Sequence, residues 1–280
     1  ACPCAPAQPP KGAPEVLYPA VAARTFRRFS TYRAATLAGI FTNSVFGIIY
    51  SYAYIELWAQ APDAGGYDVQ DAVTYVWIGQ SLLMTVAMWS GGTTDDLTER
   101  IRTGDVAIDL YRPVPLLWWY YAADLGRAAY HFLSRGLAPS LVGLVLFGIS
   151  GPASPVAAVA FLVSVALAVT VSFAIRFLVA ATSFWVLDSS GIKLISGVCA
   201  MFLSGLTLPL NLFPGWFGTL VNALPWAAFV QVPIDVYLGQ HTGTDLLAAL
   251  GFQVLWAVVL LAAGAAVLER ATRKVVVQGG

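Results

Sequence analysis

"TTDDLTERIRTGDVAIDLYRPVP", residues 93–115, carries eight Asp, Glu or Arg side chains in 23 positions. The chain around it has 280 residues, is 58% hydrophobic and only 11% charged. A soluble domain of ordinary composition carries roughly 25% charged residues. A charged island in so apolar a sequence is therefore a loop between membrane-spanning segments. It divides the chain into a shorter and a longer apolar part. Together they hold room for six spans at about 20 residues each. The formal net charge is zero, so no overall field draws the chain to nucleic acid.

The spans are predicted at 34–57, 72–91, within 116–149, and at 156–180, 191–210 and 246–268. Residues 116–149 exceed one upright helix. They are expected to comprise an interfacial or tilted segment leading to the third span, with Pro139 as a kink. Residues 1–14 are Pro-rich and expected to be disordered. Residues 15–33 are expected to form an amphipathic helix at the membrane surface. Val21, Phe26 and Phe29 share one of its faces, and Arg24, Arg27 and Arg28 snorkel from the other. Residues 34–280 then form a single six-helix transmembrane domain. Between the fifth and sixth spans, "LPLNLFPGWFGTLVNALPWAAFVQVPIDVYLGQHTG" is apolar but broken by Pro209, Pro214, Pro225 and Pro233. Two re-entrant outer half-helices suit it, since such backbone survives at membrane depth only where protein or a cavity surrounds it.

Basic residues set the orientation. Arg24, Arg27, Arg28 and Arg33 precede the first span, and Arg100, Arg102 and Arg112 follow the second. Arg176 and Lys193 flank the loop between the fourth and fifth, and Arg270, Arg273 and Lys274 end the chain. The intervening loops hold Asp63, Asp68, Asp71, Asp235 and Asp245 but no Lys or Arg. This is the positive-inside pattern, so both termini and residues 93–115 are expected in the cytoplasm of a multi-pass protein of the cell membrane.

Within the charged stretch, Thr93 or Thr94 is expected to cap a short helix, with Asp95 and Asp96 near its positive dipole end. Leu97 and Ile101 fall on one face, continued by Ile108 and Leu110. Asp96 and Arg100 are spaced for an i,i+4 pair, and Gly104 is a natural stop. A second short turn starts at Asp105 and ends before Pro113. The apolar stripe needs a cover, either the inner ends of the spans or another protein.

Elsewhere, Asp124 and Arg127 are three apart on one face and are spaced to pair; they are expected to be solvated at headgroup level, the alternative being a cytoplasmic-side substrate vestibule. Arg176 and Asp188 are expected to pair. The dense aromatic set Trp118, Trp119, Tyr120 and Tyr121 reads as interface anchors. Asn43 and Gln80 are positioned for helix–helix hydrogen bonds or for lining a pathway. Glu56, among Tyr50, Tyr52, Tyr54 and Trp58, is either a snorkelling acid or a pathway contact. Cys2, Cys4 and Cys199 form no metal-binding or disulfide pattern. "GISG", residues 148–151, matches a short string of intramembrane serine proteases. Neither His131 nor His241 lies in the core of a predicted span, as such chemistry needs.

The phrase "IRTGDVAIDLYRPVP" resembles the pattern I-x-x-G-D/E-x-x-x-x-L-x-R-P that follows the second span in permease subunits of type-2 ATP-binding-cassette exporters. The later phrase from "SFWVLDSSGIKLISG" to "VPIDVYLGQ" is similar to the same family, with "FLSG", then P-L-x-L-F-P-x-W, then "LP". The resemblance runs over roughly residues 20–275. It implies a half-pathway that pairs with a second permease chain, as a homo- or heterodimer, and binds a separate cytoplasmic ATPase. It makes the helix after the second span a coupling helix, with Asp95, Asp96, Leu97, Arg100, Ile101, Arg102, Asp105 and Arg112 as coupling residues. The basic N-terminal helix would touch the ATPase too. Pro209, Phe213, Pro214, Trp216 and Pro225 would form an outer gate. No G-x-x-x-x-G-K-[ST] occurs in these residues, so ATP and magnesium are expected on the partner and no cofactor on this chain. Reversing charge at Asp96 and Arg100 is expected to uncouple that partner. The alternative is a stand-alone secondary transporter or channel, which calls for internal repeats and coupling charges near the midplane. An apolar path with aromatic and small polar residues suits an amphiphilic cargo.

Overall fold

A computed structural model of the chain describes residues 13–88, 92–112, 114–186 and 188–278. The expected disordered head lies almost wholly outside the described residues. Regular structure among the described residues is entirely helical. Helix α1 (Ala13–Ser30) turns at residues 31–32 into α2 (Arg33–Gln60). Then come α3 (Val69–Leu83), α4 (Thr93–Thr103), α5 (Val106–Leu110), α6 (Leu116–His131) and α7 (Leu137–Phe147). The second half holds α8 (Pro155–Ala181), α9 (Ser190–Leu203), α10 (Gly215–Ala223), α11 (Gln231–Leu238) and α12 (Gly243–Gln278).

Four runs are long and apolar enough to cross a membrane: Arg33–Gln60, Leu116–Phe147, Pro155–Phe184 and Gly243–Thr272. The expected second and fifth spans are shorter. At 1.5 Å per residue, the 15 residues of α3 reach about 22 Å and the 14 of α9 about 21 Å. A hydrocarbon core is about 30 Å thick. The helix of the second span gives way after Leu83 to a turn that continues to Met88, where Ala87 adopts φ 50°. The end expected for that span, residues 89–91, lies outside the described residues.

Residues 116–147 form one nearly continuous run. A π-helical turn at Phe132–Gly136 joins α6 to α7. The cause is Pro139 three residues on, which lacks an N–H for the carbonyl of Arg135 and crowds it. Helix α8 starts cleanly: the Ser154 side chain accepts from the Ala157 N–H, and Pro155 takes the first position, where its missing donor costs nothing. Helix α8 is the post of the bundle. Of its most apolar window 61% is buried, against 17% for α2 and α12, and it touches α4, α6, α9, α11 and α12.

Glycines let the backbones close in at two places. A Cβ on Gly126 of α6 would sit 2.0 Å from the Ala22 carbonyl oxygen, so α1 lies directly on α6. The Trp77 indole of α3 is held between Gly47 of α2 and Gly143 of α7, where added Cβ atoms would meet it at 2.8 and 2.5 Å. The α1 face predicted from Val21, Phe26 and Phe29 is thus covered by protein. Val21 packs on Ala122 and Ala123, Phe26 meets Tyr130 edge-on and Phe29 meets His131. Arg24, Arg27 and Arg28 face outward. Gly126→Ala is expected to push α1 off α6 at a cost of about 1–3 kcal/mol. Limited proteolysis after α1 and a thermal melt measure it, with Gly191→Ala, whose Cβ meets nothing within 4 Å, as the neutral control.

Candidate functional site: the α4–α5 unit and its anchors

Helix α4 begins at Gly92, which is its N-cap, and no side chain caps it. Thr93 and Thr94, expected as caps, are instead buried inside the first turn. Thr93 donates from Oγ1 to Asp124 Oδ1 at 3.3 Å. The hydroxyl is drawn away from capping by a buried carboxylate behind it. At the other end Gly104 takes φ 84° and closes the helix with its N–H on the Ile101 carbonyl, as the sequence predicted.

Leu97 is fully buried and Val106 nearly so. They pack with Leu116, Leu117 and Tyr120 of α6 and with Phe173, Phe177 and Ala180 of α8, and Ile101 and Leu110 close the edge. The inner ends of this chain's own spans therefore cover the stripe. Ile108 does not belong to it and is 62% exposed. Charge completes the attachment. Asp95 meets Lys193 of α9 at 2.9 Å, and Asp96 meets Arg28 of α1 at 2.9 Å. The expected Asp96–Arg100 pair does not form, because packing turns Arg100 toward Asp109 of α5 and leaves Asp96 facing α1. Asp109 is buried and also holds Arg112 at 3.1 Å. The Arg112 guanidinium lies 5.0 Å over the Trp119 ring. The hydrogen bond that Arg100 donates to Asp109 is the first cause that holds its guanidinium above its usual range. The Arg100 guanidinium stays charged at any physiological pH.

What remains outward is Asp96, Glu99, Arg102, Thr103, Gly104, Asp105, Ile108, Tyr111 and Arg112. Tyr111 is 90% exposed. The unit is thus a rigid bracket with one side sealed into the bundle and a charged, aromatic-tipped side presented outward.

Beneath the bracket lies a cluster that the sequence reading placed in solvent. Asp124 and Arg127 are 0% and 1% exposed. Arg127 donates to Asp124 Oδ1 at 2.8 Å, and to the carbonyls of Met84 and Thr85, past the end of α3, at 2.7 and 2.9 Å. Arg176 of α8 donates to Asp124 Oδ2 at 2.7 Å and Oδ1 at 3.3 Å. The predicted Arg176–Asp188 pair is replaced by this one. Asp188 instead accepts from the Ser190 N–H at 2.8 Å; the Ser190 side chain first, and this backbone bond second, hold its carboxyl pKa below the usual value. One carboxylate thus ties the start of α4, the turn after α3, α6 and α8 together. The only sequence signal for this was three charged residues in apolar runs, which are functional or structural nodes by default.

The opposite end of the bundle is closed by a second polar node. The broken segment does fold into two short helices, α10 and α11. Gln231 and Asp235 of α11 are buried. Tyr67 donates to Asp235, Gln231 Nε2 donates to Asp235 Oδ2 at 2.8 Å, and Tyr75 donates to Gln231 Oε1 at 2.9 Å. Asn211 Nδ2 donates to Tyr67 at 3.0 Å, and Leu210 N to Gln231 Oε1 at 2.7 Å. Asp235, read as a loop charge, is in fact a buried acceptor. Of the residues assigned to the outer segment, Pro209 and Pro225 are buried. Phe213 packs edge-on against Phe217 at 5.2 Å, and Pro214 precedes α10. Trp216 is 77% exposed. Asn43 and Gln80 are buried where α2 meets α3, with Asn43 donating to the Gln80 carbonyl at 3.1 Å. Glu56 is exposed and accepts from Gln60 at 3.2 Å.

A helical bundle with four runs long and apolar enough to cross a membrane is a multi-pass membrane protein by architecture. The family model described as "ABC-2 family transporter protein" matches residues 26–279, so the chain belongs to the ABC-2 transporter family. The resemblance to its permease subunits, read from two phrases of sequence, is borne out. Comparison with curated proteins finds no match.

Proposed function

We propose that the chain is the permease subunit of an ATP-driven exporter and forms half of a translocation pathway with a second permease chain. In this reading α4–α5 is the coupling element, set in a groove of a separate cytoplasmic ATPase that holds ATP and magnesium. Helix α1 borders the same contact through Arg24, Arg27 and Arg28. The membrane is crossed six times. The short helices α3 and α9 complete their crossings with the non-helical turns that follow them, both termini face the cytoplasm, and α10 and α11 re-enter from the outer side.

The observation that carries the reading is the two-sidedness of the bracket. A merely solvated loop has no reason to be bonded to α1, α6, α8 and α9 at once. An element that receives force from a partner and passes it to several spans requires those bonds. The test is a native pull-down of the tagged full-length chain with identification of what co-purifies. The expected result is a nucleotide-binding ATPase, with a second permease chain or a second copy in the same eluate. A chain that comes out without ATPase, and moves cargo in liposomes on an ion gradient alone, would replace this reading with that of a secondary transporter.

A further inference from the structure

A cavity of about 50 Å³ opens between α4, α8 and α9 and the turn at residues 225–229. Its lining is mixed: Thr94, Asp95, Ser172, Arg176, Lys193 and Ser196 are polar, and Met88, Ile175, Ala200, Trp226 and Phe229 are largely apolar. It thus reaches from the bracket to the broken outer segment.

Two features mark it as a place for an anion. The first is charge. Asp124 serves two guanidiniums, Arg127 and Arg176, while Lys193 and Asp95 balance each other. The cluster therefore carries one excess positive charge, and Arg176 is the member that borders the cavity. A guanidinium has five N–H donors. Among the described residues, bonds from Nη1 and Nη2 to Asp124 and from Nε to Ser172 occupy three of them. The second feature is the Trp226 indole nitrogen, a buried donor with no hydrogen-bond partner among the described residues. A buried donor with no acceptor carries its full desolvation cost, and an acceptor brought by a ligand removes that cost. A guanidinium with donors to spare, an unsatisfied N–H and apolar side chains around one cavity match an oxyanion headgroup joined to an alkyl chain.

We propose that this cavity receives the carboxylate or phosphate headgroup of an anionic amphiphile, which is the cargo class. The proposal rests on the permease reading for the word cargo, and on the cavity alone for the binding. The headgroup sits against Arg176 and the Trp226 N–H, and the chain lies along Ile175, Ala200 and Phe229.

The probe is a photoreactive diazirine fatty acid, with the fatty alcohol of equal length as its neutral twin. Both are cross-linked to the full-length protein in nanodiscs, and the labelled peptides are mapped. Saturable labelling of residues 193–200 or 225–229 by the acid, at least tenfold stronger than by the alcohol and competed by an alkyl phosphate, is expected. Gly197 lines the cavity and a Cβ there meets nothing within 4 Å, so Gly197→Leu fills the space and should abolish the labelling. Trp226→Phe keeps the ring, removes the orphan donor and should weaken labelling severalfold. Equal labelling by acid and alcohol overturns the proposal, and so does full labelling of a folded Gly197→Leu chain. Displacement by inorganic phosphate as effective as by alkyl phosphate overturns the amphiphile and leaves a small-anion site. Labelling requires no ATPase. A chain that labels but captures no ATPase thus fails the permease reading alone, and one that captures ATPase without labelling fails this proposal alone.

Discussion

Asp124→Ala is expected to destabilise the protein by roughly 3–5 kcal/mol, the usual cost of removing one partner from a buried ionic group. Asp124 is fully buried and faces two guanidiniums. Its loss leaves two positive charges side by side in the bundle and releases Thr93 at the start of α4. Such a loss is a large share of the 5–15 kcal/mol that holds a typical domain, so the melting temperature in detergent or nanodiscs should fall steeply. The partners should rank below it. Arg127→Gln also deprives the Met84 and Thr85 carbonyls of their donor, so its cost should be close behind. Arg176→Gln leaves a neutral one-to-one pair of Asp124 and Arg127 and should be the mildest of the three. Scanning fluorimetry on the three variants decides it. An Asp124→Ala chain that melts with the wild type would mean the cluster is hydrated and bears no load.

Reversing the outward side of the bracket, as Glu99→Lys, Arg102→Glu and Asp105→Lys together, is expected to lower ATPase capture by more than tenfold while leaving the melting temperature nearly unchanged. The structural cost is small because these side chains are exposed. The Arg102–Glu99 pair, 61% and 56% exposed, is an ordinary surface pair that solvent screens and that adds little to stability. The binding cost is large because charge set against a complementary partner is turned to repulsion. This choice departs from Asp96 and Arg100, the pair that the spacing alone proposes. Arg100 is committed to Asp109 and Asp96 to Arg28, so reversing them would disturb the bracket and its docking together. The native pull-down and a melt, run on the same preparation, separate the two effects. Unchanged capture with the triple reversal would take the ATPase contact away from this surface.

Much of the bracket was legible from residues 93–115 because its signals are local. A charged run in an oily chain has to leave the membrane, Leu97 and Ile101 recur at helical spacing, and only a glycine takes the left-handed angle of Gly104 at no steric cost. The outer segment's two short helices were legible for the same reason, since proline interrupts a helix wherever it stands. Two pairings failed in a common way. Asp96 was paired with Arg100 and Arg176 with Asp188, each by proximity along the chain, whereas the Asp124–Arg127 pair does form but is buried and not solvated. The observed partners lie 68 residues apart for Arg28 and Asp96 and 52 for Arg176 and Asp124.

By itself the sequence determined that this is a helical membrane protein, where its apolar runs lie, and that its charged island forms a short, Gly-ended helix. Those properties follow from transfer of side chains to hydrocarbon and from backbone preferences, which act residue by residue. Only the tertiary structure decided that two expected spans are short helices followed by turns, that α1 is covered by α6, and that one carboxylate gathers two arginines under the bracket. The reason is that a buried charge takes whichever partner packing brings to it. That partner is set by which helices pack together, as where Gly126 lets α1 lie on α6, and not by spacing along the chain.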